Sequence, residues 1–523
     1  MRHHLATTLS AAAAAVLLSP LACESAGTET DNPMGPEGVE IRRSSQPYIT
    51  DVDVPAADAE ALSDTERAFA AALFSDVAGR AADDENVFLG AHGILHVLAM
   101  TLAGARGSTA SEMETAMQLT LSSDALHPAM NALTQALRAG TADSAVTYEA
   151  LDALWLANDH ETEAPFLDLL SQQYDTGIYL VDFENDAEGA RTRINSWVAD
   201  TTNGLIPELF GAGSIDATTE LALTNAAYLS APWQDRFDPE ETTPEEFALL
   251  DGNVVEVPMM DHLFDYPYIF TVEWRALELP FRDSSMGMVF VMPNPGEFTE
   301  FESTFDGDRI TEIVTALQPA RDNPDMIWVT VPRFDFSSSV DLEPSLEALG
   351  MVTAFDEVGA DFTGIDPGGE LYVDSFVHRT TVGVDEYGTT AAAATGEYNY
   401  PAPIAPEMFF NRPFVFFIYD HDTDTVLFVG RFVRPEGEAG PPVTPPVERT
   451  DAQIICDVLD GCTARTTTND ECVAALAADD AVVLEGCADC TQAAYDSQWA
   501  GSLGLGNFCD PATCADYCPD HAF

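Results

Sequence analysis

Between residues 386 and 395 the chain reads Glu386-Tyr-Gly-Thr-Thr-Ala-Ala-Ala-Ala-Thr395, a charged, glycine-punctuated turn running into a block of small uncharged side chains. Val382-Gly-Val384 before it reads as the end of a β-strand, and Pro401, Pro403 and Pro406 follow it. Ordinary surface loops draw on Asn, Asp, Ser and Gly, because turns demand them. Four alanines in a row, Ala391, Ala392, Ala393 and Ala394, instead suit a segment that lies exposed in one state and threads between β-strands in another. On propensity alone an alanine-rich helical turn competes with that reading. The rest of the chain decides between them.

The 523 residues are enough for roughly two to four domains. Charge is the outlier: 88 acidic residues against 21 basic ones give a net charge of −67, and every basic residue is arginine. Such a polyanion repels nucleic acid, heparin-like polyanions and anionic lipid, so none of these is an expected partner. The same charge fits adaptation to high ionic strength, where salt screens self-repulsion, and suggests a saline, halophilic bacterial source.

The N-terminus has the form of an export signal. Arg2, His3 and His4 precede an apolar run from Leu5 to Leu18, and Leu21-Ala22-Cys23 follows. Cleavage before Cys23 with lipid on its sulfur would make an envelope lipoprotein; ordinary secretory cleavage is the open alternative. A membrane is expected as a partner only through that anchor. The other eight cysteines, Cys456, Cys462, Cys472, Cys487, Cys490, Cys509, Cys514 and Cys518, form an even set near the C-terminus. In an exported chain they are disulfide candidates, and their pairing cannot be read from sequence.

These signals divide the chain into a signal peptide over 1–23, a flexible tether over 24–63, one long mixed region over 64–435, a proline-rich linker over 436–449 and a cysteine-rich domain over 450–523. Within the long region, apolar spacing predicts helices over Thr65 to Val77 and Ile94 to Leu102. Strands are predicted over Ala222 to Leu229, Met288 to Met292, Met326 to Val331 and Val426 to Val433.

A series of short motifs runs through 64–435. It begins with Asn86-Val-Phe88, Ala99-Met100 and Leu102-Ala-Gly-Ala-Arg-Gly107-Ser-Thr109, then Ile194-Asn-Ser-Trp197-Val and Thr202-Asn-Gly204. Leu223-Thr-Asn225-Ala-Ala-Tyr228, Trp233 and Val257-Pro-Met-Met260 come next, followed by Leu279-Pro280, Met292-Pro293 and Val331-Pro-Arg-Phe334. Leu349-Gly-Met351, Phe355, Ala360-Asp-Phe362 and His378-Arg379 lead to the alanine block, and Asn411-Arg-Pro413-Phe414 and Leu427-Phe-Val-Gly430-Arg431 close the region. In this order they resemble the serpins, the serine-protease inhibitor family.

The resemblance implies an α+β fold of three β-sheets with surrounding helices and an exposed reactive loop, to which the cysteine-rich domain is added. It implies an inhibitor rather than an enzyme, needing no cofactor or metal and acting as a monomer. An extracellular serine or cysteine protease cuts the loop and is trapped as an acyl-enzyme while the loop inserts into the main sheet. The hinge is then Glu386, Gly388, Thr389, Thr390, Ala391, Ala392, Ala393, Ala394 and Thr395. Alternate strand residues share a face, so Thr389, Ala391, Ala393 and Thr395 point inward, and Gly388 supplies freedom for the bend. Glu397 and Asn399 have the same parity, which opposes full insertion.

Counting from Glu386 at the family's usual loop length puts the bait bond at Ala402–Pro403, with Tyr398–Asn399 and Ile404–Ala405 as alternatives. The polar shutter beneath the sheet matches Gly90, Gly93, Asn225 and His378. There the family's two serines are replaced by Gly90 and Gly93, and His92 is a candidate for the missing hydrogen bond. The alternative function is a non-inhibitory binding or surface protein whose loop is only a substrate.

Overall fold

In a computed structural model the described residues are 36, 39–142, 144–322, 325–389 and 405–435. The alanine block, the bait-bond candidates before Ala405, Cys23 and all eight clustered cysteines lie outside them.

Strands, numbered in chain order, form three sheets. The main sheet has the order β1 (Glu40–Arg42), β4 (Ile178–Val181), β3 (Thr147–Ala157), β5 (Leu221–Pro232), β13 (Ser375–Val384) and β12 (Phe334–Asp341). A two-residue strand, β14 (Gly388–Thr389), pairs with β5 off that path. The second sheet runs β2 (Val87–Leu89), β17 (Thr425–Phe432), β16 (Phe414–Asp420), β10 (Met286–Pro293), β9 (Trp274–Pro280) and β8 (Tyr268–Phe270). The third runs β15 (Glu407–Phe409), β11 (Ile327–Pro332), β7 (Val254–Phe264) and β6 (Thr243–Ala248).

The second sheet is buried on both faces. Met286–Pro293, Phe414–Asp420 and Thr425–Phe432 have every residue buried, which is why they are largely apolar rather than alternating, with Asp420, Thr425 and Arg431 as buried polar exceptions. Phe88, Phe336 and Phe416 bring β2, β12 and β16 together, with Phe88 stacked on Phe428 at 5.0 Å. Helix α1 (Ala56–Arg80) and helix α2 (Ala91–Leu102) pack within this core, joined by β2. Helices α3 (Gly107–Ala116), α4 (Ser123–Ala142) and α5 (Ala164–Tyr174) follow. Helix α6 (Phe183–Thr201) covers the other face of the main sheet through Ile194, Trp197 and Val198 against Trp155 and Tyr179.

The four predicted strands and two predicted helices are all present. The expected tether over 24–63 is corrected in its described part. Helix α1 begins at Ala56, because Pro55 precedes a run of alanines and acids that favours helix before any apolar stripe appears. Upstream, Glu40–Arg42 adds an antiparallel edge strand to β4. The chain beyond it is tied down: Ser44 N–H donates to Ser171 Oγ at 3.1 Å, and Ile49 N–H to the Gln172 carbonyl at 3.0 Å. Tyr48 Oη–H donates to Asn131 Oδ1 at 2.7 Å.

Candidate functional site

Strands β5 and β13 are parallel neighbours, paired from Ser375 opposite Ala222 up to Thr380 opposite Ala227. Beyond that, the next partner recorded for β5 is β14, antiparallel, with Thr389 opposite Ala231 and Gly388 opposite Pro232. The chain leaves β13 at Val384, reverses, and starts back down beside β5.

That reversal is held by backbone groups. The carbonyls of Asp385, Glu386 and Tyr387 accept in turn from Trp233 Nε1–H at 2.8 Å, Phe237 N–H at 2.9 Å and Trp233 N–H at 2.9 Å. Asp385 Oδ1 accepts from the amides of Tyr387 and Gly388, at 2.8 and 3.1 Å, and burial raises this carboxyl to about 6. Glu386 is fully buried, accepts from Thr242 Oγ1–H at 2.7 Å and pairs with Arg333 Nη1 at 3.4 Å.

Gly388 is also required for close approach. A Cβ there would fall 2.1 Å from the Ala231 carbonyl oxygen and 2.7 Å from the Pro232 Cα. Thr389 is 1 % exposed, and the other positions read as inward-facing, Ala391, Ala393 and Thr395, lie outside the described residues. Ala405, at the far end of the loop, is half-buried and next to Pro406, whose carbonyl accepts from Trp328 N–H at 2.9 Å.

Gly90, Gly93, Asn225 and His378 do come together, under the paired part of β5 and β13. His378 Nδ1 lies 2.7 Å from Asn225 Oδ1, and His378 Nε2 accepts from Gly90 N–H at 3.1 Å. That ring therefore donates at Nδ1 and stays neutral; burial pulls it down to about 3. Asn225 Nδ2–H donates to Asp152 Oδ1 at 2.5 Å, bridging β5 to β3.

The glycines make room for this amide. A Cβ on Gly93 would sit 2.2 Å from Asn225 Nδ2, and one on Gly90 3.1 Å from the Ala227 Cβ. His92 does not take the place of a shutter hydroxyl. Its Nδ1 pairs instead with the fully buried Glu66 of α1, at 2.9 Å. Burial alone would lower that histidine, and the Glu66 carboxylate outweighs it and raises it.

Sequence reasoning missed Asp152, His96 and Glu66. His96 Nδ1 is 2.9 Å from Asp152 Oδ2, but it makes no hydrogen bond there. Trp233 had been noted only as a motif residue, without its grip on the reversal. A separate group, Asp159, His160 and Glu220, is the one among the described residues able to hold a metal ion.

The family model described as serpin (serine protease inhibitor) matches residues 64–435. The chain is 34 % identical over 370 residues to an uncharacterized serpin-like protein of Thermococcus kodakarensis, covering 70 % of this chain and 83 % of that one. It is 32 % identical over 387 residues to leukocyte elastase inhibitor A of Mus musculus, covering 72 % of this chain and 100 % of that one. The crystal structure of the thermophilic serpin tengpin in its native state has the same fold, with a TM-score of 0.66 at 23 % identity, covering 76 % of this chain and 99 % of that one. With three sheets in the expected arrangement and a family match over most of its length, the chain belongs to the serpin family.

Proposed function

We infer that this protein is an exported suicide-substrate inhibitor of a serine or cysteine protease, acting by insertion of the loop between β5 and β13. The observation that carries this reading is β14. Gly388 and Thr389 already pair with the upper end of β5, while β5 and β13 remain joined to each other below Ala227. Insertion would continue a strand that has begun, replacing one parallel pairing with two antiparallel ones and completing backbone hydrogen bonds.

The hinge is Glu386 to Thr395, with Ala402–Pro403 as the bait bond and Tyr398–Asn399 and Ile404–Ala405 as alternatives. The elastase inhibitor among its relatives supports a protease with a small apolar primary pocket. Export rests on the N-terminal signal, with Cys23 as the lipidation point. The eight clustered cysteines would form a disulfide-bonded domain after the linker.

The test is incubation of the full chain with a panel of extracellular proteases, followed by denaturing electrophoresis. A complex that survives boiling in detergent is expected, since an arrested acyl-enzyme is a covalent ester. Mass spectrometry of the released fragment should find Pro403 at its N-terminus. Efficient cutting of the loop with no covalent species would favour the non-inhibitory reading, which the inward parity of Glu397 and Asn399 already supports.

A further inference from the structure

At the foot of the main sheet the chain leaves β3 through Asn158 and Asp159 and enters β5 after Glu220, so both loops end side by side. Between them stands His160, with both ring nitrogens engaged. Nδ1 is 2.5 Å from Asp366 Oδ2, and Nε2 is 2.6 Å from Glu220 Oε2. The nearest ligand atoms of Asp159, His160 and Glu220 all lie within 4.8 Å of one another. We propose that His160 Nε2, Glu220 and Asp159 form a binding site for a borderline divalent cation such as Zn²⁺, with Asp366 as its supporting carboxylate.

The support around the ring separates this group from a chance gathering of acids. Asp366 is 6 % exposed, and its Oδ1 caps Gly368 N–H at 2.9 Å, so the oxygen facing Nδ1 is fixed. The backbone of His160 is fixed as well, its carbonyl accepting from Arg42 Nη1–H at 2.9 Å. A carboxylate on the far ring nitrogen orients a ligating histidine and makes it more basic. Glu220 is pinned through its own amide, which donates to Asp374 Oδ2 at 2.6 Å. Among the described residues no guanidinium pairs with Asp159, Glu220 or Asp366, although arginine pairs with carboxylates at many other places in the chain. One imidazole and two carboxylates suit zinc and its neighbours better than calcium or magnesium, which take oxygen alone.

In the metal-free protein the two ring nitrogens bridge the carboxylates of Asp366 and Glu220. A bound ion would take the Nε2 lone pair in place of the Glu220 contact, while Nδ1–H stays on Asp366. Oxygen atoms of Glu220 and Asp159 complete three protein ligands, leaving room for water. The ion would clip the loop after β3 to the start of β5. This proposal stands independently of the inhibitory reading.

The test uses the full chain, stripped with chelator and held in about 0.5 M NaCl to screen diffuse cation binding to its acidic surface. Zn²⁺ is titrated by calorimetry, and thermal unfolding is followed in parallel. Comparison with Asp159→Asn/Glu220→Gln isolates this site from any zinc held by the cysteines. The wild type should bind one equivalent more than the double variant and gain a larger rise in Tm. Asp366→Asn should retain the stoichiometry and weaken this equivalent roughly 10- to 100-fold. Glu245→Gln/Glu246→Gln, on exposed β6 positions, should leave it unchanged. If the double variant misfolds by circular dichroism, the single exposed Asp159→Asn replaces it, with loss or clear weakening of the same equivalent expected. Equal stoichiometry and affinity in wild type and the folded variant would overturn the proposal.

Discussion

Gly93 lies so near Asn225 that a Cβ on it would fall 2.2 Å from the amide nitrogen, the same nitrogen that donates to Asp152 Oδ1. Glycine at 93 and a carboxylate at 152 are therefore one arrangement. Gly93→Ser, which restores a hydroxyl usual in the family, should destabilise the protein by roughly 1–3 kcal/mol through overpacking. A double-mutant cycle with Asp152→Asn, read by chemical denaturation, should show coupling between the sites; strict additivity would mean that they are independent.

Thr389→Arg should turn an inhibitor into a substrate. The native side chain is buried against β5, its Oγ1 3.4 Å from the Ala231 carbonyl oxygen. An arginine there would have to be dehydrated for insertion to proceed, at a cost on the order of several kcal/mol. Loop cleavage should continue while the stoichiometry of inhibition rises steeply. An unchanged stoichiometry would count against strand insertion.

His378 gives the stability a defined acid limb. Its folded-state pKa falls from 6.5 to about 3, so protonation favours the unfolded chain. This contribution is complete above about 6.5 and is lost as pH drops from there toward 3, on the order of a few kcal/mol in all. Asp385 has the opposite sign. Its carboxyl is raised from 3.8 to about 6, which lowers stability as pH rises through that interval. Asp385→Asn keeps an oxygen for the Tyr387 and Gly388 amides and should raise Tm at pH about 7, with little change at pH about 4. A Tm difference that does not vary with pH would sink this assignment.

Removing residues before Thr50 should lower stability without unfolding the protein. The segment supplies the edge strand on β4 and partners for Asn131, Ser171 and Gln172. At about 1 kcal/mol for each hydrogen bond lost, the drop should be a few kcal/mol, measurable as a lower denaturant midpoint. An unchanged midpoint would show that this stretch is a passive leader.

Strands β10 and β17 were legible because Met288 to Met292 and Val426 to Val429 are unbroken apolar runs, and a run of that kind has few ways to fold. Asn225 and His378 could be placed through the family motifs that carry them, Leu223-Thr-Asn225-Ala-Ala-Tyr228 and His378-Arg379. Asp152 and Glu66 were hidden: a carboxylate on a strand or helix ordinarily faces water, and only their partners Asn225 and His92 show otherwise. Glu40–Arg42 could not be seen at all, since three residues, two of them exposed, carry no period and take their structure from β4. The site at His160 joins residues from three separate stretches, which only the folded chain brings together.

The grip of Trp233 and Phe237 on the three carbonyls after Val384 has a kinetic consequence in the proposed mechanism. A new strand normally begins with an improbable nucleus, and here the nucleus exists before any protease arrives. What remains is propagation in one direction, from Ala227 toward Ala222, because β5 and β13 are joined below that point. The race between trapping a protease and releasing it would then be a first-passage problem over a short one-way track. Substitutions along Ala222 to Ala227 should set the clock, whereas those beyond the nucleus on β12 should leave it unchanged.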